Sequence, residues 1–330
     1  MSSDRLPAAG NGAGPAPGDQ WRLFRGDGVA RPVTLPDAPP WRRFTAQDAR
    51  RDRGPAPYLI EPQHADVVNA ALHLRRPLLV TGPAGAGKSS LARALAHELS
   101  LGEPLRWPVN SQSTVQEALY RYDAIGRLRE STLRRDKGEV EPSIGEFIRL
   151  GALGTALVPA DRPRVLLVDE MDKGDIDLPN DLLTVFEDGV FEIPELARLP
   201  DDQRDLKVFT ADHRDRVSIR HGLVQCTEFP VVVITSNGER DFPPAFLRRC
   251  IRLDLPAPGE DRLRAIVSAH LGADALSASD GLLTAFLGRR NSGELATDQL
   301  LNAVFLRKGG IDLDAEGLLD AVLHQLSDGM

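Results

Sequence analysis

Gly82-Pro83-Ala84-Gly85-Ala86-Gly87-Lys88-Ser89 fits the phosphate-binding pattern G-x-x-x-x-G-K-[ST], and few short patterns restrict a fold so tightly. The pattern carries meaning only between a strand and a helix, and this chain supplies both. Before it, Pro77-Leu78-Leu79-Val80 is a short apolar run of buried-strand type. After it, Ser90 to Leu99 is rich in helix formers, with Leu91, Leu95 and Leu99 four apart. Glycines let the backbone turn and bring its N–H groups against phosphate oxygens, while the helix N-terminus adds positive partial charge. Lys88 is expected to reach the β- and γ-phosphates and the Ser89 hydroxyl to ligate Mg²⁺. Gly82 through Ser90 therefore read as a cradle for a nucleoside triphosphate.

A second motif lies downstream. Val165-Leu166-Leu167-Val168 is a buried parallel strand by composition, and Asp169-Glu170 follow at its C-terminal end, where ligands of open α/β sheets bind. Asp169 is expected to hold the Mg²⁺ hydration shell and Glu170 to orient and activate the attacking water. The interval from Lys88 to Asp169 leaves room for a full strand–helix excursion. Phe229 to Asn237 is the next buried strand, and the Asn237 amide is placed either to position water or the γ-phosphate, or to make a turn before Gly238. Phe242 to Leu253 runs a short helix into a last strand. Arg248 and Arg249 at that junction are either solvated or aimed at a neighbouring subunit's phosphate.

Around these motifs the chain divides into three. Residues 1–57 are Ala/Gly/Pro-rich at first and read as a disordered or docking arm, with Trp21–Gly28 and Trp41–Phe44 as aromatic anchors. Residues 58–258 carry the nucleotide motifs. Residues 259–330 turn wholly helical, with helices expected over 261–271, 282–287, 297–306 and 315–326. Inside the central part, helices are expected over 64–74, 146–153 and 178–188, with Gly189 closing the last. Tyr120–Leu128 reads as a helical region broken by a glycine. Arg127 to Lys137 reads as a solvated basic face. Alternating residues at 190–193 and 217–219 flank a polar stretch and imply an inserted hairpin, in which His213 and His221 are surface residues.

Composition narrows the setting. A net charge of −8 argues against a broad nucleic-acid footprint. No apolar run is long enough to span a bilayer, and no secretory signal opens the chain, so no membrane partner is expected. Cys226 and Cys250 alone make neither a disulfide scaffold nor a zinc site and fit the cytoplasm.

Taken in order, these motifs resemble those of the AAA+ ATPases, from about Tyr58 to the C-terminus. The resemblance implies a P-loop parallel sheet flanked by helices, an inserted β-hairpin before the sensor-1 residue, and an all-helical lid. Gly82–Ser89 looks like Walker A, Val165–Glu170 like Walker B, Asn237 like sensor 1 and Arg249 like the arginine finger, with Arg248 its rival. Asn110 is similar to the residue that restrains the Walker B glutamate in many members. The hairpin, the Asn180–Glu192 pattern, the Tyr120–Leu128 segment, Ser236–Arg240 and Leu295–Leu301 look closest to MoxR-type members, which are commonly encoded beside von Willebrand factor A domain partners, including in bacterial conflict systems. A sensor-2 arginine is not assignable: Thr297-Asp298-Gln299 stands in its region, with Arg289 and Arg290 earlier.

The function implied is Mg²⁺-dependent ATP hydrolysis in a ring, a hexamer by resemblance, that remodels a protein client or a von Willebrand factor A domain partner. Adenine rather than guanine rests on the resemblance, since no Asn-Lys-x-Asp pattern follows the loop. Two alternatives stand beside it. One is a nucleic-acid-stimulated, restriction-type motor using the Arg127–Lys137 cluster. The other is a slow nucleotide-gated switch with the Trp21–Gly28 arm as effector contact.

Overall fold

The computed structural model describes residues 21–24, 28, 30–42, 58–200, 205–212, 216–277, 280–290, 295–313 and 317–324, without the side chains of 276 and 277. Expectations for residues 1–20, the 25–27 part of the first arm, residues 43 and 44, His213 and the far end of the last helix lie outside these.

In chain order the elements are α1 (Pro62–Leu74), β1 (Leu78–Thr81), α2 (Lys88–Glu98), β2 (Leu105–Pro108), α3 (Val115–Leu119), β3 (Tyr120–Tyr122) and α4 (Ala124–Lys137). Then come β4 (Ile148–Leu150), α5 (Ala152–Ala156), β5 (Val165–Asp169), α6 (Leu178–Asp188), β6 (Val190–Glu192), α7 (Pro194–Ala197), β7 (Asp205–Phe209) and β8 (Arg216–Arg220). The chain continues through β9 (Leu223–Gln225), β10 (Val231–Ser236), α8 (Pro244–Leu247) and β11 (Ile251–Asp254). The last helices are α9 (Glu260–Leu271), α10 (Ala273–Ser277), α11 (Asp280–Arg290), α12 (Thr297–Lys308) and α13 (Leu318–Val322).

Five strands form a parallel sheet in the order β11-β1-β10-β5-β2. Its three central strands are apolar on both faces because both faces are covered, whereas the edge strands β2 and β11 also carry exposed residues. Leu78, Val80, Val165, Leu167 and Val233 pack on α1 and α2, whereas Leu79, Leu166, Val168, Val232 and Ile234 pack toward α5, α6 and a second sheet. Alternation along each strand thus assigns each residue to one of two cores. Parallel register brings Thr81, Pro108, Asp169, Ser236 and Asp254 to one edge, and the site is built there.

The second sheet, β3-β4-β7-β8-β9-β6, is larger than the hairpin expected from sequence. A hairpin is present, but its strands are β7, which lies in the stretch read as polar, and β8, whereas 190–192 pairs with β9; β3 and β4 complete the sheet. Two further sequence expectations fail here. Tyr120–Tyr122 is a strand followed by a helix that Asp123 caps, not a helix broken by glycine. Residues 146–153 are a 3₁₀ turn, β4 and the start of α5, not one helix. Glycine explains the second failure. A Cβ on Gly151 would stand 2.2 Å from the Ala118 carbonyl oxygen and one on Gly154 1.9 Å from that of Leu119. The close approach of α3 therefore demands residues that weaken a helix.

The C-terminal helices enclose a third core around Leu263, Phe286, Leu300 and Val304. Trp41 packs on it, its ring edge-on to Phe305 at 5.9 Å. The expected anchor at Trp41 therefore lies on the helical part, while Phe24 in the first arm is exposed. Among the described residues, no helix is long and apolar enough to cross a membrane.

Candidate nucleotide site

The loop between β1 and α2 lines a cavity of ≈ 660 Å³ at the carboxyl edge of the parallel sheet. Ala84, Gly85, Ala86, Gly87, Lys88, Ser89 and Ser90 form its floor. Gly82 and Pro83 act through their carbonyls, which accept from Lys88 Nζ at 2.6 and 2.8 Å. The same ammonium donates to Asn237 Oδ1 at 2.8 Å, so the two residues expected at the γ-phosphate already converge. Gly85 sits at φ 75°, and a Cβ there would stand 2.4 Å from the Thr297 nitrogen. No side chain fits between the loop and α12.

Asp169 is the most heavily engaged carboxylate of the site. Oδ1 accepts from Ser89 Oγ at 2.6 Å and from Thr235 Oγ1 at 2.9 Å. Oδ2 accepts from Arg106 Nε and Nη2 at 3.1 and 2.6 Å. Burial pushes this carboxyl up, but the bonds from Ser89, Arg106 and Thr235 and the guanidinium charge outweigh it and hold its pKa below the ordinary value. Register explains the cluster. Arg106 pairs with Leu167, which places its side chain on the same sheet face as Asp169, one diagonal step away.

Glu170 adopts a left-handed conformation (φ 60°, ψ 50°), uncommon for a non-glycine residue and frequent at functional sites. Its N–H donates to Thr235 Oγ1 at 2.9 Å, and its carboxylate accepts from Lys173 Nζ at 2.9 Å. That hydrogen bond with Glu170 raises the Lys173 pKa. Asp172, buried, accepts the backbone N–H groups of Asn237 and Glu239 and so fixes the loop that carries Asn237.

Asn110 makes local hydrogen bonds. Its Oδ1 accepts from the Gln112 N–H and from the Ser113 hydroxyl, closing a local turn, and it is not among the residues lining the cavity. The preceding Val109 N–H still donates to the Asp169 carbonyl at 2.9 Å, so the chain follows β5 one residue past β2 before this turn. Arg249 is half-buried, bonded through Nε to Glu187 of α6 and through Nη1 to the Ala245 carbonyl. Arg248 is exposed; its N–H donates to the Pro244 carbonyl and its carbonyl accepts from Arg76. Neither arginine lines the cavity.

The helical part closes the cavity with Arg262, Ile266 and His270, one turn apart on α9, and with Thr297, Asp298 and Leu301 of α12. Arg289 and Arg290 are elsewhere, on Asp320 and on the Pro258 carbonyl. Arg262, unremarked in the sequence, is the lid cation that faces the cavity. Its Nε and the Tyr58 hydroxyl oxygen are buried and make no well-aligned hydrogen bond among the described residues, although the guanidinium lies beside the hydroxyl. Burial pushes the Tyr58 hydroxyl up, and the Arg262 charge offsets part of that. Orphaned buried polar atoms are costly unless a ligand satisfies them, so this wall fits a polar ligand such as a nucleotide. Ser89 Oγ and Asp169 Oδ1 form an oxygen donor set suited to Mg²⁺, which takes one or two protein ligands beside substrate phosphates. Arg106, Asp172, Lys173 and Thr235 escaped the sequence reading, and Thr297 entered it only as a residue standing where a sensor-2 arginine was sought. Thr235 alone left a local signal, as a hydroxyl in an otherwise apolar strand end.

Residues 77–250 match the family described as AAA domain (dynein-related subfamily). No curated protein matches the sequence. Among solved structures, the chain is similar to NtrX from Brucella abortus in complex with ADP, at 15% identity, covering 84% of this chain and 57% of that one, with a TM-score of 0.39. The ATP complex of NtrX gives 14% identity, 84% and 59% coverage and a TM-score of 0.38. C. elegans PCH-2 gives 15% identity, 69% and 50% coverage and a TM-score of 0.33. The chain thus spans less than two thirds of each of these.

Proposed function

This chain belongs to the AAA domain family, dynein-related subfamily, and from that premise we propose that it hydrolyses ATP with Mg²⁺ in a MoxR-like ring and uses the cycle to remodel a protein partner. The observation that carries the reading is the convergence of Lys88, Ser89, Asp169 and Asn237 on one cavity roofed by α9 and α12.

Backbone N–H groups of the loop and the Lys88 ammonium bind the triphosphate, Lys88 exchanging its bonds to Gly82, Pro83 and Asn237 for phosphate oxygens. Ser89 and Asp169 would hold Mg²⁺, which would supply charge neutralisation for the phosphates. Glu170 orients a water in line with the γ-phosphorus and takes its proton. The bond from phosphorus to the β-bridging oxygen breaks, and ADP and phosphate leave. Asn237 fixes the water's position from the opposite strand. Arg249, oriented by Glu187 and the Ala245 carbonyl, reaches a neighbouring subunit's site, with Arg248 as the alternative donor.

The partner contact lies on the second sheet and α4. Ile125 (68% exposed), Leu128 (70%) and Leu133 (55%) stand on α4, which buries no residue. Apolar groups on a solvated helix favour a protein partner over nucleic acid. Arg134, one of the basic residues there, is already paired with Glu130.

The test is ATPase rate per subunit against protein concentration, with Glu170→Gln and Arg249→Ala alongside. Specific activity should climb with concentration, and both variants should lose it. A rate independent of concentration in which Arg249→Ala matches wild type would sink the shared site. Tight ATP binding with negligible turnover at every concentration, client added or not, would favour the nucleotide-gated switch.

A further inference from the structure

Asp169 has no acceptor capacity left. An ionised carboxylate offers about four lone-pair sites, and here Ser89, Thr235 and two nitrogens of Arg106 take them. A cation entering the site must therefore displace a donor. Thr235 is buried and cannot withdraw, and the Ser89 oxygen retains lone pairs of its own with which to ligate. Arg106 differs from both. Its side chain is 57% exposed while that of Asp169 is 6% exposed, and it lies on the cavity wall within the edge strand β2.

We propose that Arg106 is a resident counter-ion for Asp169, occupying the cation's carboxylate in the nucleotide-free site and yielding it only when Mg²⁺ arrives with nucleotide. The exchange is of one cation for another on the same oxygen, so the buried carboxylate is compensated in both states. An uncompensated buried charge is strongly destabilising, which gives the exchange its purpose. Two consequences follow. Free Mg²⁺ must compete with a two-pronged, charge-assisted bond, which raises the concentration needed to load the site. The displaced guanidinium stays on a wall facing the phosphates, where its charge favours the anionic ligand. Arg106 is thus a positioning residue that sets a metal threshold.

The inference rests on the Mg²⁺·nucleotide reading of this cavity, and its test has two arms. In the first, a fluorescent ATP analogue is bound to the full chain and Mg²⁺ is titrated from a chelated start. Arg106→Gln should lower the half-saturating Mg²⁺ by about tenfold, the scale of a lost charge-assisted hydrogen bond. Arg106→Lys, which keeps the charge without the fork, should fall between. An unchanged or raised half-saturation in Arg106→Gln overturns the proposal.

The second arm needs no nucleotide. Thermal unfolding in chelator is compared for wild type, Arg106→Gln, Asp169→Asn and the double variant. The double variant should lose much less than the two single losses together, and additive losses overturn the pairing. A wild type that binds no nucleotide under any condition defeats the functional reading instead, and this cycle then decides the Arg106–Asp169 pair alone.

Discussion

Thr297 Oγ1 donates to the Gly85 carbonyl at 2.8 Å, joining the first residue of α12 to the middle of the phosphate loop. Lid and loop are therefore one structure at this point, with no side chain between them. Gly85→Ala inserts a methyl group 2.4 Å from the Thr297 nitrogen at a φ of 75°, and the lid must shift. Nucleotide affinity should fall by an order of magnitude or more. Thr297→Val removes only the bond and should cost about 1 kcal/mol of stability. Fluorescent-nucleotide binding and thermal unfolding separate the two effects.

Lys173 holds the carboxylate expected to activate water. The pair is half exposed, and such pairs are worth roughly 0.2–1 kcal/mol. Lys173→Met should raise kcat by about two- to fivefold by that measure and leave KM for ATP unchanged. A steady-state titration reads both. A fall in kcat would mean that Lys173 orients Glu170 productively instead of restraining it.

Glu187 plays the corresponding part for Arg249. Glu187→Ala leaves the cavity untouched but frees the guanidinium to wander, so turnover at ring-forming concentrations should fall by about two- to fivefold. Nucleotide affinity of the dilute subunit should not move. Sedimentation beside the rate assay distinguishes a weaker ring from a misaimed arginine.

Cys250 supplies a pH dependence. Burial pushes its thiol up to about 12, and the nearby Arg76 charge offsets only part of this. In the unfolded chain a thiol ionises near 8.5. Below that pH both states are protonated, and above it only the unfolded state loses the proton. Stability is therefore complete below about pH 8.5 and lost progressively toward about 12. The drop in Tm between pH 7.5 and 9.5 should be smaller in Cys250→Ala than in wild type. Alkylation of Cys250 at pH 8.5 should require unfolding.

The phosphate loop, Asp169 and Glu170 were legible because each is announced by its own strand. Buried parallel strands write themselves as unbroken apolar runs, as Val165–Val168 does. Arg106 was silent because its role depends on a register, Arg106 opposite Leu167, that no local pattern records. Thr297 was visible only as the place where an arginine was missing. Its contact with Gly85 joins residues far apart in sequence. Asn110 closes a local turn with Gln112 and Ser113, a use of an asparagine side chain that the strand before it does not announce. The 146–153 segment was misread because the two-residue alternation of buried Ile148 and Leu150, the spacing of a strand, is too short to stand out.

The parallel sheet also dictates when this protein can fold. Strand β1, made early, lies between β10 and β11, made late, so Leu78, Leu79 and Val80 gain both flanking partners only after residue 254 exists. At a synthesis rate of ~5–20 residues per second, the emerging chain carries an unpaired apolar strand for roughly 10–30 s. Through that interval the nascent phosphate loop has no sheet to stand on, and this is the stage at which a cellular chaperone has most to protect.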